Sequence, residues 1–436
     1  MSAPLLSEHF ISREPSSIRL AQIEFAKRQD NTRALNVAIG NVSLPMHPAL
    51  QKRMKHLGGP DSPFREGVVQ YSATVGMVET NEAFLKLIAS SGGATAGLMS
   101  QITDGGSQGM ELVIAGCCGS AGTAERPLML IDASYTNYMA FAERLGRQTV
   151  AISRRLAEDG RFSLPSTAEI SAAIVKHQPG AMVIIPYDNP TGQLYDRETL
   201  IRLATLCVEH NLWVISDEAY RELYYTDVAP VSIWSLSEAE VPGLRGRRIS
   251  LETASKVWNA CGLRIGALVT DNAEFHERAV AENTAALCSN TLGQYIFGAL
   301  AHESEADLKT WYDQQRAYYK KMLGTFTEHM RSLLPGVIVS SPDASIYSVV
   351  DLRNLVNEDF EAMDFVLYCA RQGRVSLAGQ ELTLLTAPMA RFYHADEHSG
   401  NPGRTQLRIA YVQSPAQMKL VPELLAQLFQ QYQKIS

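Results

Sequence analysis

The chain has 436 residues, 46% hydrophobic and 19% charged, and its 39 Lys and Arg against 46 Asp and Glu leave a net charge of −7. That length exceeds one small core, and the acidic balance gives no electrostatic footprint for nucleic acid or for an anionic membrane surface. No apolar run reaches the ~18 residues of a membrane span. The N-terminal MSAPLLSEHFISREP lacks the basic and apolar regions of a secretory signal, so none is expected. Six cysteines without a CxxC pair suggest reduced thiols, buried as small hydrophobes, in a cytoplasmic protein.

In chain order, a strand-like LMSQIT is followed by a helical MELVIAGCC, and strands are predicted at 128–132, 148–153, 181–187, 212–217, 248–253 and 265–270. The segment 197–210 between them has helical spacing, with Leu200, Leu203 and Cys207 on one face. Several of the strands are apolar nearly throughout, as in a mainly parallel sheet covered on both faces, where ligands lie outside the carboxyl ends. One long helix is predicted over 303–334, stopped by Pro335-Gly336. Short strands at 337–341 and 346–352, a helix near 359–372, a strand at 406–412 and a terminal helix follow. The first hundred residues read as mostly helical and irregular. This divides the chain into a large α/β domain, 55–310, and a smaller α+β domain built from 1–54 and 311–436.

Short motif matches weigh little. Gly105–Gly109 fits GxSxG, the strand-to-helix elbow of α/β-hydrolases, but the strands that should precede it are not evident. His394–His398 spells HxxEH, yet Ser-Gly-Asn-Pro-Gly follows at once, so it reads as a solvated loop rather than a metal site. No Gly-Lys dipeptide exists, which removes a Walker A loop.

Three segments carry more. Asp188-Asn189-Pro190-Thr191-Gly192 ends one strand and is, alone, a good turn. Ser216-Asp217-Glu218-Ala219-Tyr220 ends the next; a carboxylate there must meet a cation or a proton donor, and Tyr220, about one helical turn on, can share its site. Thr253-Ala254-Ser255-Lys256 and Gly262-Leu263-Arg264-Ile265-Gly266 then place an amine beside hydroxyls and an arginine suited to phosphate. Together these set an amide, an acid, a phenol, an amine and a phosphate-binding group at successive strand ends of one sheet, the constellation of a pyridoxal phosphate enzyme.

The order GGSQG, DNPTG, SDEAY, SK-x7-R and LRIAYV resembles the class I/II aminotransferases, pyridoxal phosphate-dependent transferases of fold type I. The resemblance implies a large α/β domain with a mainly parallel seven-stranded sheet and a smaller α+β domain. It implies that an amino group passes from an amino acid to a 2-oxo acid through pyridoxamine phosphate. Lys256 matches the family lysine that forms the internal aldimine and moves the proton. Asp217 matches the acid at the pyridine nitrogen, and Asn189 and Tyr220 match the groups at the ring O3′. Gly106, Ser107, Thr253, Ser255 and Arg264 match the phosphate contacts, and Tyr135 the ring stacked on the cofactor. Tyr71 resembles the tyrosine that reaches the phosphate of a neighbouring subunit, implying a homodimer with a shared active site. Arg408 matches the arginine that grips the substrate carboxylate, and Gly40 the glycine that closes over the substrate.

Members specific for dicarboxylic substrates usually carry an arginine just before the position of Ser289. Here that stretch reads Thr284-Ala285-Ala286-Leu287-Cys288, so a side-chain carboxylate is not expected to be held in that way. A fold type I lyase, decarboxylase or cyclising synthase stays open as the alternative reaction. A serine hydrolase centred on Ser107 leaves Asn189, Asp217, Lys256 and Arg264 unexplained together, and an aminotransferase-like ligand sensor fused to a DNA-binding domain is not expected at a net charge of −7.

Overall fold

The computed structural model describes residues 4–229, 231–340, 343–394 and 400–435. Seven strands form one sheet in the order Met99–Thr103, Gly266–Thr270, Arg248–Thr253, Trp213–Asp217, Ala181–Ile184, Leu128–Asp132 and Thr149–Ser153. Neighbours run parallel except at Gly266–Thr270, which is antiparallel to both strands beside it. Successive side chains point to opposite faces, so Leu128 and Leu130 enter one apolar core while Met129 and Ile131 enter the other. Both faces are thereby covered, as the unbroken apolar runs require.

Local chemistry sets the helices over this sheet. Thr167–His177 starts at a capping box between Ser166 and Glu169. Arg197–Glu209 starts where the Asp196 carboxylate accepts the Thr199 N–H, and it buries Leu200, Leu203 and Cys207. The strand expected over 181–187 stops at Ile184, because Pro186 has no N–H to continue a ladder.

A four-stranded antiparallel sheet orders Ile338–Val339, Tyr347–Asp351, Gln406–Ala410 and Ala387–Pro388. The long helix spans Glu305–Leu333, and Ala362–Arg371 is the helix expected near 359–372. Sequence patterning missed the three-stranded sheet in which Arg33–Asn36 pairs in parallel with Gln380–Leu385, which in turn pairs with Val375–Leu377. Four residues reading RALN carry too little alternation to mark a strand. The first hundred residues are therefore not only helical and irregular. Among the described residues no helix is long and apolar enough to cross a membrane.

The antiparallel strand has a consequence for the site. It starts, rather than ends, at the edge where its parallel neighbours end, so Arg264 and Gly266 arrive beside Thr253 and the helix Gly105–Cys117. A Cβ on Gly266 would stand 2.6 Å from the Gly105 carbonyl carbon and 2.8 Å from the Gly106 nitrogen. Gly266→Ala should therefore cost roughly 2 kcal/mol or more through overpacking against backbone. A urea midpoint equal to that of the parent protein would contradict this close approach.

Candidate active site

At the edge where the parallel strands end lies a cavity of about 260 Å³. Twelve of the thirteen sequence-predicted residues line it: Gly40, Gly106, Ser107, Tyr135, Asn189, Asp217, Tyr220, Thr253, Ser255, Lys256, Arg264 and Arg408. Tyr71 does not. It is 78% exposed on the surface of this chain, in a stretch where Val68, Val69 and Val78 are also exposed.

One corner is built of glycine and backbone. Gly105, with φ of +69°, opens the helix Gly105–Cys117, whose first N–H groups have no partner within the helix. Around Gly106 nothing comes within 4 Å of where a Cβ would stand. The Arg264 guanidinium packs against Gly105 and donates only long bonds, 3.3 Å each, to the carbonyls of Asp104 and Cys261. Ser255 donates its N–H to Thr253 Oγ1 at 3.0 Å, while the Thr253 hydroxyl donates to Ser255 Oγ at 2.7 Å. Helix N–H groups, two hydroxyls and an underused guanidinium make an anion cradle.

Asp217 accepts hydrogen bonds from the Tyr138 hydroxyl and, at 3.0 Å, from the Ala219 N–H. Burial raises its pKa, and those two bonds only partly oppose the rise. No cation pairs with it among the described residues. Residues 219–222 form turns rather than a helix, yet Tyr220 still faces the same space as Asp217.

Arg408 is only 2% exposed, within the strand Gln406–Ala410. It donates to Asn189 Oδ1 at 2.9 Å and to the Ala38 carbonyl at 2.7 Å, and its Nε has no partner. Its guanidinium carbon lies 4.4 Å from the Tyr347 ring centre and 5.1 Å from that of Phe392. No carboxylate pairs with it among the described residues. Lys256 Nζ donates to the Gly40 carbonyl. A Cβ on Gly40 would meet the Tyr347 hydroxyl at 2.1 Å, so the chain passes that phenol as closely as glycine allows.

Tyr347 and Tyr138 escaped the sequence reading. The hydroxyls of Tyr347 and Tyr220 share a hydrogen bond of 3.0 Å. Burial alone would raise the Tyr347 phenol, but the Lys256 and Arg408 cations outweigh it and hold the group below its ordinary value. Tyr138 was findable: it stands three residues after Tyr135, and their rings meet edge to face at 5.4 Å. Tyr347 reaches the cavity through strand pairing with Ala410, which no local motif announces.

The short motifs resolve as follows. Gly105–Gly109 opens a helix, and no histidine among the described residues lines the cavity to serve Ser107. His394 Nδ1 lies 3.0 Å from Asp132 Oδ1 and its Nε2 2.8 Å from Thr149 Oγ1; the rest of HxxEH lies outside the described residues. Among the described residues no cluster of His, Cys, Asp or Glu is arranged to hold a metal ion. Cys117, Cys118, Cys207 and Cys369 are buried free thiols, but Cys261 and Cys288 are half-buried, and Cys261 lines the cavity.

Behind the cavity, Arg221 lies between two buried carboxylates. It bonds Glu252 at 2.6 Å and stands 3.6 Å from Glu218. This ties the segment bearing Asp217 and Tyr220 to the strand that leads into Thr253 and Lys256. Burial raises the Glu252 carboxyl even though Arg221 opposes the rise.

A profile of aminotransferase class I and II matches residues 35–397, and the chain belongs to this family. It is 29% identical over 248 residues to the probable kynurenine–oxoglutarate transaminase BNA3 of Saccharomyces cerevisiae, which covers 56% of this chain and 53% of that protein. It is 25% identical to an aspartate aminotransferase of Musicola paradisiaca, covering 58% and 60% of the two chains. The match to the arginine–pyruvate transaminase AruH of Pseudomonas aeruginosa is 28% identical, over 52% and 54%. The chain thus matches little more than half the length of these relatives. Among solved structures, a Thermus thermophilus aspartate aminotransferase mutant superposes with a TM-score of 0.79 at 18% identity, over 98% of this chain and 100% of that one. Bna3p of S. cerevisiae superposes with 0.79 at 21% identity, over 98% and 99%. The fold is that of these transferases, as the motif order implied.

Removing the cation between Glu218 and Glu252 tests the frame. Arg221→Met should cost about 3–5 kcal/mol, because it leaves buried carboxylates unpaired. Glu252 titrates above its unfolded value in the fold, and further above it in the variant. Native protein then holds the extra proton, so stability falls as pH rises through that window. Urea melts at pH 5 and pH 8 should show the larger loss at pH 8; an equal loss would contradict the ion-pair account.

Proposed function

We propose that this chain is a pyridoxal phosphate-dependent aminotransferase that moves an amino group from an amino acid to a 2-oxo acid. The observation that carries the reading is one cavity in which an amine, an unpaired acid, an unpaired arginine and an anion cradle converge from distant segments. The named relatives use different donors, so no donor is taken from them.

The residues fit the cofactor group by group. The helix start at Gly106 and Ser107, with Thr253, Ser255 and Arg264, would hold its phosphate. Asp217, desolvated and lacking a cation, would hold the ring nitrogen; Asn189 and Tyr220 would bond its O3′, and Tyr135 would stack on the ring. When bound, pyridoxal phosphate supplies an electron-withdrawing ring that makes the substrate Cα–H acidic. Lys256 is the residue that would carry it covalently, and its Nζ would take and return the proton at Cα. Arg408 would bind the substrate carboxylate in a two-pronged fork, with Asn189 and the Ala38 carbonyl orienting the guanidinium. Tyr347 acts as a positioning residue, its hydroxyl on Tyr220 and its ring under Arg408. Gly40, whose carbonyl already accepts from Lys256, would close over the substrate.

The exposed Tyr71, with its apolar neighbours, supports a homodimer in which Tyr71 reaches the partner's phosphate site. Six free cysteines support a cytoplasmic location. We take 55–310 as the cofactor-binding domain and 1–54 with 311–436 as the smaller one, a division supported by the pairing of Arg33–Asn36 with Gln380–Leu385.

Borohydride reduction of protein loaded with pyridoxal phosphate, followed by peptide mass spectrometry, should find the label on Lys256, and Lys256→Ala should lose both label and turnover. Label elsewhere, or free ammonia released together with pyruvate and without an acceptor oxo acid being aminated, would refute the assignment. Asp217→Asn should lower turnover about a hundredfold or more, as loss of a preorganised charge does. Its raised pKa means that ionised Asp217 opposes folding above its unfolded value. The cofactor-free variant at pH 7 should therefore melt no lower than the parent; a lower Tm would contradict this sign.

A further inference from the structure

The cavity wall carries more positive charge than the reaction needs. Arg19, Lys256, Arg264 and Arg408 line it against the single carboxylate of Asp217. In the reading above, Arg264 meets a phosphate, Arg408 the α-carboxylate, Lys256 the reacting centre and Asp217 the ring nitrogen. Arg19 is left over. Among the described residues its side chain makes no ion pair and no hydrogen bond.

Its place is set by the packing of its own helix, Ser17–Phe25. Ile18 is buried in an apolar cluster with Ala38, Val349 and Phe392, and Ala21 is fully buried in the main core. With those two side chains inward, the helix cannot turn about its axis, and Arg19 stays on the cavity wall. Arg19 is exposed, and its guanidinium shares the cavity wall with Arg408 and Lys256, so the local field is positive and favours a second anion entering the cavity. A neutral side chain on the substrate is not favoured in this way.

We propose that Arg19 recognises an anionic group on the substrate side chain, so that the preferred substrates are acidic amino acids and their dicarboxylic 2-oxo acids. This rests on the cavity being an aminotransferase site. It is compatible with the absence of a cation from Thr284–Cys288, because the charge comes from a different part of the chain. The guanidinium binds carboxylate through paired N–H donors, which a lysine ammonium reproduces only in part.

The test uses protein loaded with pyridoxal phosphate. Arg19→Gln should lower the ratio of kcat/KM for glutamate to that for norvaline about tenfold or more, the size expected for one charge-assisted hydrogen-bonded contact. Arg19→Lys should recover part of the ratio. Succinate, followed by its perturbation of the cofactor absorption band, should bind the parent more tightly than butyrate does, and Arg19→Gln should erase that difference. An unchanged glutamate-to-norvaline ratio in Arg19→Gln, or a parent enzyme that favours norvaline, overturns the proposal while leaving transamination intact. If no amino acid of either kind alters the cofactor spectrum, transamination fails instead. The succinate-against-butyrate difference in the two proteins then decides the anion site alone: dependence on Arg19 upholds it, and independence overturns it.

Discussion

The constraint on which this structure rests is that charge is buried apart from its counter-charge. Among the described residues, Arg408 sits inside the protein without a carboxylate and Asp217 lines the cavity without a cation. Neutral dipoles hold both: an amide oxygen and a carbonyl at Arg408, a phenol and a backbone N–H at Asp217. Such groups cost free energy, because their desolvation is met only in part by the surrounding dipoles. The same deficit makes each one a receptor for the opposite charge.

The surroundings pair charge with counter-charge one layer away, although Glu218 Oε2 and one Arg221 nitrogen stay without a hydrogen bond among the described residues. Arg221 serves Glu252 and Glu218, and Glu218 also accepts from Ser216, Ser232 and the Ile233 N–H. On the other flank, buried Arg154 bonds Asp188 at 3.0 Å, the residue before Asn189, and also donates to the Asp132 carbonyl. Apolar cores on both faces of the sheet supply the cohesion that such a site consumes. Local rules are therefore broken where chemistry is expected and kept immediately behind it.

Much of this was legible in the amino-acid order, for a physical reason. Asp217 ends a buried strand, and Asn189 and Lys256 come within a few residues of the ends of theirs, so the run of the strand announces where the polar residue emerges. The antiparallel strand is the exception: Arg264 precedes its strand, and the family motif rather than strand logic located it. Tyr347 and Arg19 were illegible because their places depend on sheet pairing and helix packing between distant segments. Tyr71 reads as a site residue yet lies outside the cavity of its own chain. The short strand Arg33–Asn36 was missed because its partner comes some 350 residues later, beyond any local pattern.

That separation in sequence bears on how the protein is made. Lys256 meets Gly40 across 216 residues, Asn189 meets Arg408 across 219, and Arg264 meets Asp104 across 160. A nascent chain leaving the ribosome, at roughly 5–20 residues per second, exposes the segments bearing Gly40, Asp217, Lys256 and Arg264 well before the strand of Arg408 emerges. Until Gln406–Ala410 pairs with Tyr347–Asp351, the wall that holds Arg408 does not exist. The wall around Arg408 is therefore the last part of the cavity that synthesis makes possible.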